Sequence, residues 1–246
     1  MKNVKGIILA GGSGSRLHPL TVAVNKHLLP VGNKPMIIRC LEKLTEAGIE
    51  EVAIVTNPEY VSNFSALIKS GKDYGCDITY KVQDNPGGIA EALGLCEKFV
   101  DDDNCVVILG DNMFEDSIAD DIRNFNSDCR LFFKYVPDGH RYGVGMFDDD
   151  KKLQNIVEKP NGVTDAYAAV GIYMYSSKVF DLIKRVEPSY RNELEITSVN
   201  NLFLQDDDYE LSYSFLQGWW TDAGTMKSYE LANRLAMEQP TEESRE

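Results

Sequence analysis

Over its first half, the chain alternates short apolar runs with longer stretches in which apolar residues recur every three or four positions. The runs predict buried strands over residues 4–10, 52–56, 78–82 and 105–109. The periodic stretches predict helices over residues 35–47, 59–70, 88–98 and 115–125. Because strands that alternate with helices form parallel sheets, we expect an α/β fold that is Rossmann-like and doubly wound around a mostly parallel central sheet.

After residue 130 the apolar runs follow one another more closely. They predict strands near residues 130–136, 143–147, 153–158 and 167–175, helices near 177–186 and 195–205, a strand near 209–215 and a helix near 226–237. This change of rhythm favours an added antiparallel lobe that faces the substrate. We expect a single domain over residues 1–238 and a polar, disordered tail over residues 239–246.

Charge is distributed unevenly along the chain. The net charge is −14, yet the stretch from Met1 to Leu41 contains no Asp or Glu and six basic residues. A local basic field in an acidic protein favours a polyanionic small molecule over nucleic acid as the partner. The apolar runs are far shorter than the roughly 18 residues of a membrane span, and no export signal is recognisable, so we expect a cytoplasmic protein with no membrane partner.

Neither the cysteines nor the aspartate triplets predict a metal site. The five cysteines are widely spaced and include no C-x-x-C pair, which predicts reduced, buried thiols. The triplets at residues 101–103, 148–150 and 206–208 lack the alternating ligands, glycine and distal glutamate of a calcium loop. They are predicted to be solvated turns.

The sequence GGSGSRL follows the first predicted strand, and its backbone N–H groups could wrap a phosphate. A Walker loop would end in G-K-[ST], whereas this loop continues with Ser15 and Arg16. A dinucleotide-binding loop would have a third glycine in place of Leu17 and an acid about 20 residues further on, whereas the first acid is Glu42. A structural turn without a ligand would explain the glycines but not Arg16 and Lys26.

Asp111 follows the predicted strand over residues 105–109, at the sheet edge where open α/β folds place ligand-handling groups. Magnesium prefers oxygen ligands, commonly one or two carboxylates with phosphates and water, so a second carboxylate is expected from elsewhere in the chain. Asp222 is the natural candidate. It could equally be the N-cap of the last predicted helix, and its position alone leaves both interpretations open.

Nine motifs together resemble the sugar-1-phosphate nucleotidylyltransferase family, and the resemblance covers roughly residues 4–235. The motifs lie at residues 6–17, 26–30, 82–83, 87–90, 109–112, 141–144, 157–160, 193–197 and 220–225. Within the family the chain is most similar to short-form glucose-1-phosphate thymidylyltransferases. The resemblance implies a GT-A-like nucleotidyltransferase fold and a Mg2+-dependent reaction of dTTP, or another pyrimidine triphosphate, with glucose 1-phosphate that gives dTDP-glucose and pyrophosphate.

The resemblance also implies a role for each site residue. The implied catalytic residues are Arg16, Lys26 and Asp111. The implied nucleotide-binding residues are Leu9, Gly11, Gly12, Gly14, Ser15, Arg16, Gln83, Gly88 and Asp111. The implied sugar-phosphate-binding residues are Asn112, Tyr142, Gly143, Glu158, Lys159 and Ala169. Asp111 and Asp222 are the implied magnesium ligands, which favours the metal interpretation of Asp222.

Several questions stay open at the level of sequence. Glu91, Met226 and the Ala169–Gly171 stretch depart from the thymidylyltransferase pattern, and we expect them not to touch the chemistry but to leave the exact base and sugar open. UTP- or CTP-using relatives, a non-catalytic sugar-nucleotide sensor and, less favoured, a nicotinamide-dependent oxidoreductase are the alternatives. Glu195 could contact the sugar or start a helix, and a homo-oligomer is compatible with the sequence.

Overall fold

The structure is a computed structural model and describes residues 3–238. The predicted tail over residues 239–246 lies outside the described residues. The strands are β1 (Val4–Leu9), β2 (Pro30–Val31), β3 (Lys34–Pro35), β4 (Glu51–Thr56), β5 (Asp77–Val82), β6 (Asn104–Leu109), β7 (Asn112–Phe114), β8 (Cys129–Val136), β9 (Gly143–Phe147), β10 (Leu153–Glu158), β11 (Ala166–Tyr175), β12 (Leu211–Phe215) and β13 (Trp220–Asp222). The helices are α1 (Met36–Glu46), α2 (Val61–Ile68), α3 (Ile89–Gly94), α4 (Glu97–Val100), α5 (Ala119–Arg123), α6 (Val179–Ile183), α7 (Ile196–Gln205) and α8 (Met226–Glu238).

A mixed sheet of nine strands organises the described residues, with the order β10-β9-β11-β6-β1-β4-β5, and β8 pairs with β11 and β12. Strands β6, β1, β4 and β5 run parallel. Strand β11 is antiparallel to β6 and joins this parallel part to β9 and β10, which are antiparallel to each other. The predicted doubly wound sheet with an added antiparallel lobe is therefore confirmed.

Two apolar clusters cover the two faces of the parallel strands. Ile7 and Ile8 are adjacent in β1 and fully buried, but they belong to different clusters. One cluster includes α1, and the other includes α3, α6 and α7. Burial on both faces explains why these strands read as continuous apolar runs rather than as alternating patterns.

Several predicted helices are shorter in the structure, and the region 115–125 shows why. There the helix is confined to Ala119–Arg123. Asp116 accepts hydrogen bonds of 2.6 Å from the backbone N–H groups of both Gln217 and Gly218, and Glu115 accepts one of 3.1 Å from that of Trp219. These bonds hold the start of the predicted helix against a distant segment, so tertiary contacts override the local pattern.

A short strand pair, which the apolar pattern does not predict, brings two predicted site residues together. Strands β7 and β13 are antiparallel, and their register places Asn112 opposite Asp222. The backbone N–H of Ala223 donates to the carbonyl oxygen of Asp111 at 2.7 Å, and Trp220 Nε1 donates to Asn112 Oδ1 at 2.8 Å. The pair thereby brings Asp222 next to Asp111.

Other expectations concern cysteines, turns and membranes. All five cysteines are free and buried, as predicted. Each aspartate triplet lies between regular elements. Across residues 3–238, no helix combines the length and the apolar character needed to span a bilayer.

Candidate active site

A cavity of about 340 Å3 opens over the carboxyl ends of the parallel strands. Open α/β sheets place ligands at this edge, because loops that follow neighbouring strands meet there. Fifteen of the predicted site residues line it: Leu9, Gly11, Gly12, Arg16, Lys26, Gln83, Gly88, Asp111, Asn112, Tyr142, Gly143, Glu158, Lys159, Ala169 and Asp222. The fold therefore gathers most of the predicted site around one space.

Gly14 and Ser15 are not among the lining residues of that cavity. Gly14 has a left-handed backbone, with φ of 63°, and its carbonyl oxygen accepts a 2.8 Å hydrogen bond from the Thr21 hydroxyl. Ser15 is exposed and begins a 3-10 turn that ends at the buried Leu17. In this arrangement both residues shape the loop, and their contact with a nucleotide stays a prediction.

Asp111 is paired with a cation in the amino-terminal half of the chain. Lys26 Nζ lies 2.5 Å from Asp111 Oδ2, and Asn112 Nδ2 donates to Asp111 Oδ1 at 3.1 Å. Burial is the strongest single influence and opposes the charged form of this carboxylate, but the Lys26 charge acts together with the hydrogen bonds from Lys26 and Asn112 to hold the pKa of Asp111 below its usual range. Asp111 is thus an anion at neutral pH.

Asp222 is held by residues of the antiparallel lobe. Arg141 Nη2 lies 2.8 and 2.9 Å from the two carboxylate oxygens, and the Tyr142 hydroxyl donates to Oδ1 at 3.0 Å. Burial and then the nearby charge of Asp111 raise the pKa of Asp222 despite these partners. Arg141 was not among the predicted site residues, although it directly precedes Tyr142 in a motif of the resemblance.

Gly224 shows that the two carboxylates face a common point. A Cβ built on Gly224 would lie 3.3 Å from Asp111 Oδ2, 3.5 Å from Asp222 Oδ2 and 3.1 Å from Arg16 Nη2. Two carboxylates around a small open space suit a hard divalent cation that also keeps phosphate or water ligands. Within residues 3–238 no group of three or more His, Cys, Asp or Glu side chains could hold a metal alone.

The alternative role of Asp222, as the N-cap of the last helix, is wrong. Helix α8 begins at Met226, and Asp222 is the last residue of β13. The backbone N–H of Ser228 donates to Thr225 Oγ1 at 3.2 Å, and the N–H of Thr225 donates to Ser228 Oγ at 3.1 Å. This reciprocal arrangement caps the helix without Asp222.

His27 lines the cavity next to the charged pair and was not predicted. Its Nδ1 atom lies 2.8 Å from Asn25 Oδ1, which also accepts from the His27 backbone N–H. Burial, together with the charge of Lys26, lowers the pKa of His27 to about 3. The ring is therefore neutral at physiological pH and cannot serve as an acid there.

At the opposite side of the cavity, a threonine and a lysine hold the Glu158 carboxylate. The Thr197 hydroxyl donates to Oε2 at 2.5 Å, and Lys159 Nζ lies 2.6 Å from Oε1. Burial opposes ionisation, but these two hydrogen bonds together with the charges of Lys159 and Arg191 keep the pKa of Glu158 below its usual range. A Cβ on Gly143 would lie 3.1 Å from Thr197 Oγ1, so glycine keeps this wall open.

Glu195 stands at the start of a helix, one of the two roles that the sequence left open. It stands at the N-cap position of α7, but its side chain makes no capping hydrogen bond, and it does not line the cavity. Its carboxylate instead accepts hydrogen bonds from Arg191, at 2.8 Å to each oxygen, and from Ser189. Arg191 in turn lies 3.6 Å from Glu158 Oε1, so it links this loop to the cavity.

Glu91 was expected not to touch the chemistry, and its side chain lies against Gln83, which lines the cavity. Its carboxylate accepts a hydrogen bond from Nε2 of Gln83. Gly88 has φ of 100°, and a Cβ there would lie 2.6 Å from the carbonyl oxygen of Leu194. Glycine is thus required at position 88 by the close approach of the Leu194 backbone.

Comparison with known proteins agrees with this geometry. A family model described as "Nucleotidyl transferase" matches residues 5–239. The chain belongs to this nucleotidyl transferase family. A glucose-1-phosphate thymidylyltransferase of Xanthomonas campestris is 40% identical over 238 residues, which are 95% of this chain and 81% of that protein. The low-salt glycan biosynthesis nucleotidyltransferase Agl11 of Haloferax volcanii is 37% identical over 96% of this chain, which spans 66% of Agl11.

Solved structures of related nucleotidyl transferases share the whole fold. A crystal structure from Bacillus anthracis, of a candidate glucose-1-phosphate thymidylyltransferase in complex with sucrose, is 46% identical. Its TM-score is 0.90, over 97% of both chains. A UDP-glucose pyrophosphorylase complexed with UDP-glucose superposes with a TM-score of 0.81 over 98% of this chain, and at 24% identity this likeness concerns the fold alone.

Proposed function

We propose that this nucleotidyl transferase joins a pyrimidine nucleoside triphosphate, dTTP in the first place, to glucose 1-phosphate. The phosphate oxygen of the sugar attacks the α-phosphorus, a new phosphorus–oxygen bond forms, and the bond to the leaving pyrophosphate breaks. The products are dTDP-glucose and pyrophosphate. The 40% identity to a glucose-1-phosphate thymidylyltransferase over most of both chains supports this activity.

One observation carries the proposal more than any other. Asp111 and Asp222 face the same point beside Gly224, and Arg16 faces it from a third direction. A purely sugar-binding cavity has no need of two largely enclosed carboxylates, one of which is disfavoured by the charge of the other, whereas a metal-assisted phosphoryl site does. This pairing therefore favours an enzyme over a non-catalytic sensor.

The chain's own groups would act mainly by position and charge. The attacking phosphate is already an anion, so no general base is required, and the difficulty lies in bringing two anions together. Arg16 could hold the α-phosphate and the departing pyrophosphate through its planar guanidinium group. Lys26, paired with Asp111, could exchange part of that contact for a phosphate oxygen.

Asp111 and Asp222 would hold the divalent cation, which we propose to be Mg2+. When bound, this ion would neutralise charge on the triphosphate and polarise the α-phosphoryl group. Because the described protein residues offer two carboxylates rather than three or more ligands, the remaining ligands are expected from substrate phosphates and water.

Sugar and base would be bound at separate ends. Glu158 could accept hydrogen bonds from sugar hydroxyls, with Tyr142 and Gly143 forming the adjacent wall, and Lys159 could hold the sugar phosphate. At the other end Gln83 would read the pyrimidine edge through its amide. Asn112 is less available for the sugar, because its amide oxygen already accepts from Gly171 and Trp220.

A substrate matrix tests the proposal. Pyrophosphate release is measured for dTTP, UTP and CTP, each with glucose 1-phosphate or a related sugar phosphate, with and without Mg2+. We expect turnover that requires both substrates and the ion, fastest with dTTP and glucose 1-phosphate. Binding without turnover in every combination would indicate a sensor, and faster release with UTP or CTP would identify one of the other pyrimidine-using enzymes.

The remaining proposals concern the setting of the enzyme. We propose a single domain, a cytoplasmic location and no nucleic-acid or membrane partner. Five free, buried cysteines suit a reducing compartment, and the net charge of −14 disfavours a nucleic-acid surface. A homo-oligomer is compatible with the proposal, and sedimentation of the purified protein would determine its state.

A further inference from the structure

The carboxylate of Glu91 lies against Gln83 at the base end of the cavity. Gln83 Nε2 donates to Glu91 Oε2, and the same nitrogen lies 3.4 Å from the carbonyl oxygen of Gly88. Gln83 is 7% exposed, so few other partners can reach its amide. Each of the two Nε2 protons therefore has an acceptor within the protein.

The Glu91 carboxylate and the Gly88 carbonyl oxygen determine the orientation of the Gln83 side-chain amide. An ionised carboxylate and a backbone carbonyl accept hydrogen bonds but cannot donate them, so a half-turn of the amide would place Gln83 Oε1 against two oxygens. In the observed orientation Oε1 faces Gly11, where a Cβ would lie only 2.9 Å away. Gln83 and Gly11 both line the cavity. The amide thus keeps an acceptor available at the base end.

An acceptor in this position distinguishes pyrimidines by the edge they present. Uracil and thymine carry an N3–H donor between two carbonyl groups, whereas N3 of cytosine is itself an acceptor. Two acceptors that face each other in a buried site repel, and both lose the hydrogen bonds that water would supply. Rejection of this kind is stronger than rejection by shape alone.

We propose that Glu91 is a specificity-determining residue. By holding Nε2 of Gln83, it keeps the amide oxygen available to the base, and the site then prefers triphosphates of imide bases, uracil or thymine, over cytidine triphosphate. The inference rests on the proposed function and makes no distinction between UTP and dTTP.

Glu91 also has a simpler structural role that the test must separate. It lies in the first turn of α3, where a negative charge stabilises a helix. Loss of that stabilisation would weaken binding of every triphosphate alike. A role in specificity changes the ratio between bases.

The test is Glu91→Gln, whose neutral amide can donate as well as accept and so permits either orientation of Gln83. Dissociation constants for UTP, dTTP and CTP are measured by calorimetry in the wild type and the variant. We expect the preference for UTP and dTTP over CTP to fall about tenfold, with glucose 1-phosphate binding unchanged. Glu97→Gln is the matched control, because Glu97 pairs with Lys184 on the surface at 2.7 Å.

A second variant moves the carboxylate without removing it. A Cβ on Gly87 would lie 3.1 Å from Glu91 Cγ and 3.2 Å from Oε2, so Gly87→Ala should displace Glu91 and lower the same preference by a smaller factor. Unchanged base preference in both variants would overturn the inference and leave the proposed function intact. A wild-type protein that binds no pyrimidine triphosphate would instead overturn the proposed function, and the inference with it.

Discussion

The two carboxylates that face Gly224 are held by different halves of the molecule, and their pKa values shift in opposite directions. Asp111, from the parallel half, has a lowered pKa because the Lys26 charge and the hydrogen bonds from Lys26 and Asn112 act together against burial. Asp222, held by the antiparallel lobe, has a raised pKa because of burial and the charge of Asp111, although Arg141 contacts both of its oxygens. The difference shows that the negative charge of Asp111 opposes ionisation of Asp222. A divalent cation bound by both carboxylates would relieve this repulsion.

Removal of the negative charge of Asp111 or of Asp222 should have the largest effect on turnover. Asp111→Asn and Asp222→Asn keep the side-chain shape but remove a charge from the common point beside Gly224. We expect turnover to fall about a hundredfold or more, because charge stabilisation of the transition state is lost. Pyrophosphate release measures the effect, and circular dichroism checks that the fold persists.

The matched control is Asp73→Asn, whose carboxylate is exposed and pairs with Lys69 at the surface. Wild-type turnover in either active-site variant would contradict the assignment of that residue to the metal.

The second prediction fills the space between the carboxylates instead of changing them. Gly224→Ala places a methyl group 3.1–3.5 Å from Arg16, Asp111 and Asp222. We expect Mg2+ affinity, measured by calorimetry, to fall at least about tenfold, since the ligands are forced apart. Gly94→Ala is the control, because its Cβ would meet only Ile183, at an ordinary 3.6 Å. Unaltered Mg2+ binding in Gly224→Ala would place the cation elsewhere.

The third prediction tests the partner of the second carboxylate. Arg141→Gln removes the cation that holds Asp222 before substrates arrive, while Tyr142 can still orient the carboxylate through its 3.0 Å hydrogen bond. Because Arg141 and a metal compete for the same oxygens, we expect the substrate-free variant to bind Mn2+ up to about tenfold more tightly. Electron paramagnetic resonance titration measures this, and weaker Mn2+ binding would instead indicate that Arg141 supports the site.

The smallest expected effect is on the pH dependence of stability, and it comes from His27, the neutral residue beside Asp111. His27 has a pKa of about 3 in the fold and 6.5 when unperturbed. The unfolded chain therefore binds an extra proton between these values, and the free energy of unfolding decreases as pH falls from 6.5 towards 3. His27→Gln should remove up to about 1.4 kcal/mol per pH unit from that slope. Urea unfolding at several pH values measures it, with the exposed His140→Gln as the control; an unchanged slope would contradict a neutral buried His27.

The sequence predicts the elements that carry strong local signals. The bounds of β9 and β10 match the predicted strands, and Asp111 follows a buried apolar run, so its place at the sheet edge can be read directly. The region 115–118 fails the same test. Its helical pattern is overridden by hydrogen bonds that Asp116 accepts from residues about a hundred positions away, which no local window contains.

Within the site, the sequence could not predict which side chains and strands would contact each other. Strands β7 and β13 have three residues each, too few to show a period, so the approach of Asp222 to Asp111 depended on the resemblance. Arg141 was missed, and the role of Glu91 was left open, for a related reason. Their importance lies in which side chain they touch, and a charged residue beside a motif looks the same whether it faces solvent or Gln83.

The pairing of β7 with β13 also governs when the site can exist during translation. Asn112 leaves the ribosome long before Asp222, its partner across the strand pair, and before Trp220, whose side chain donates to it. Until Trp220 and Asp222 emerge, Lys26 and Asp111 can form their ion pair, but Asp222 is not yet present to face Asp111. A nascent chain would thus contain the glycine-rich loop and Asp111 but would lack the second carboxylate, so it could not yet catalyse the transfer of a nucleotide.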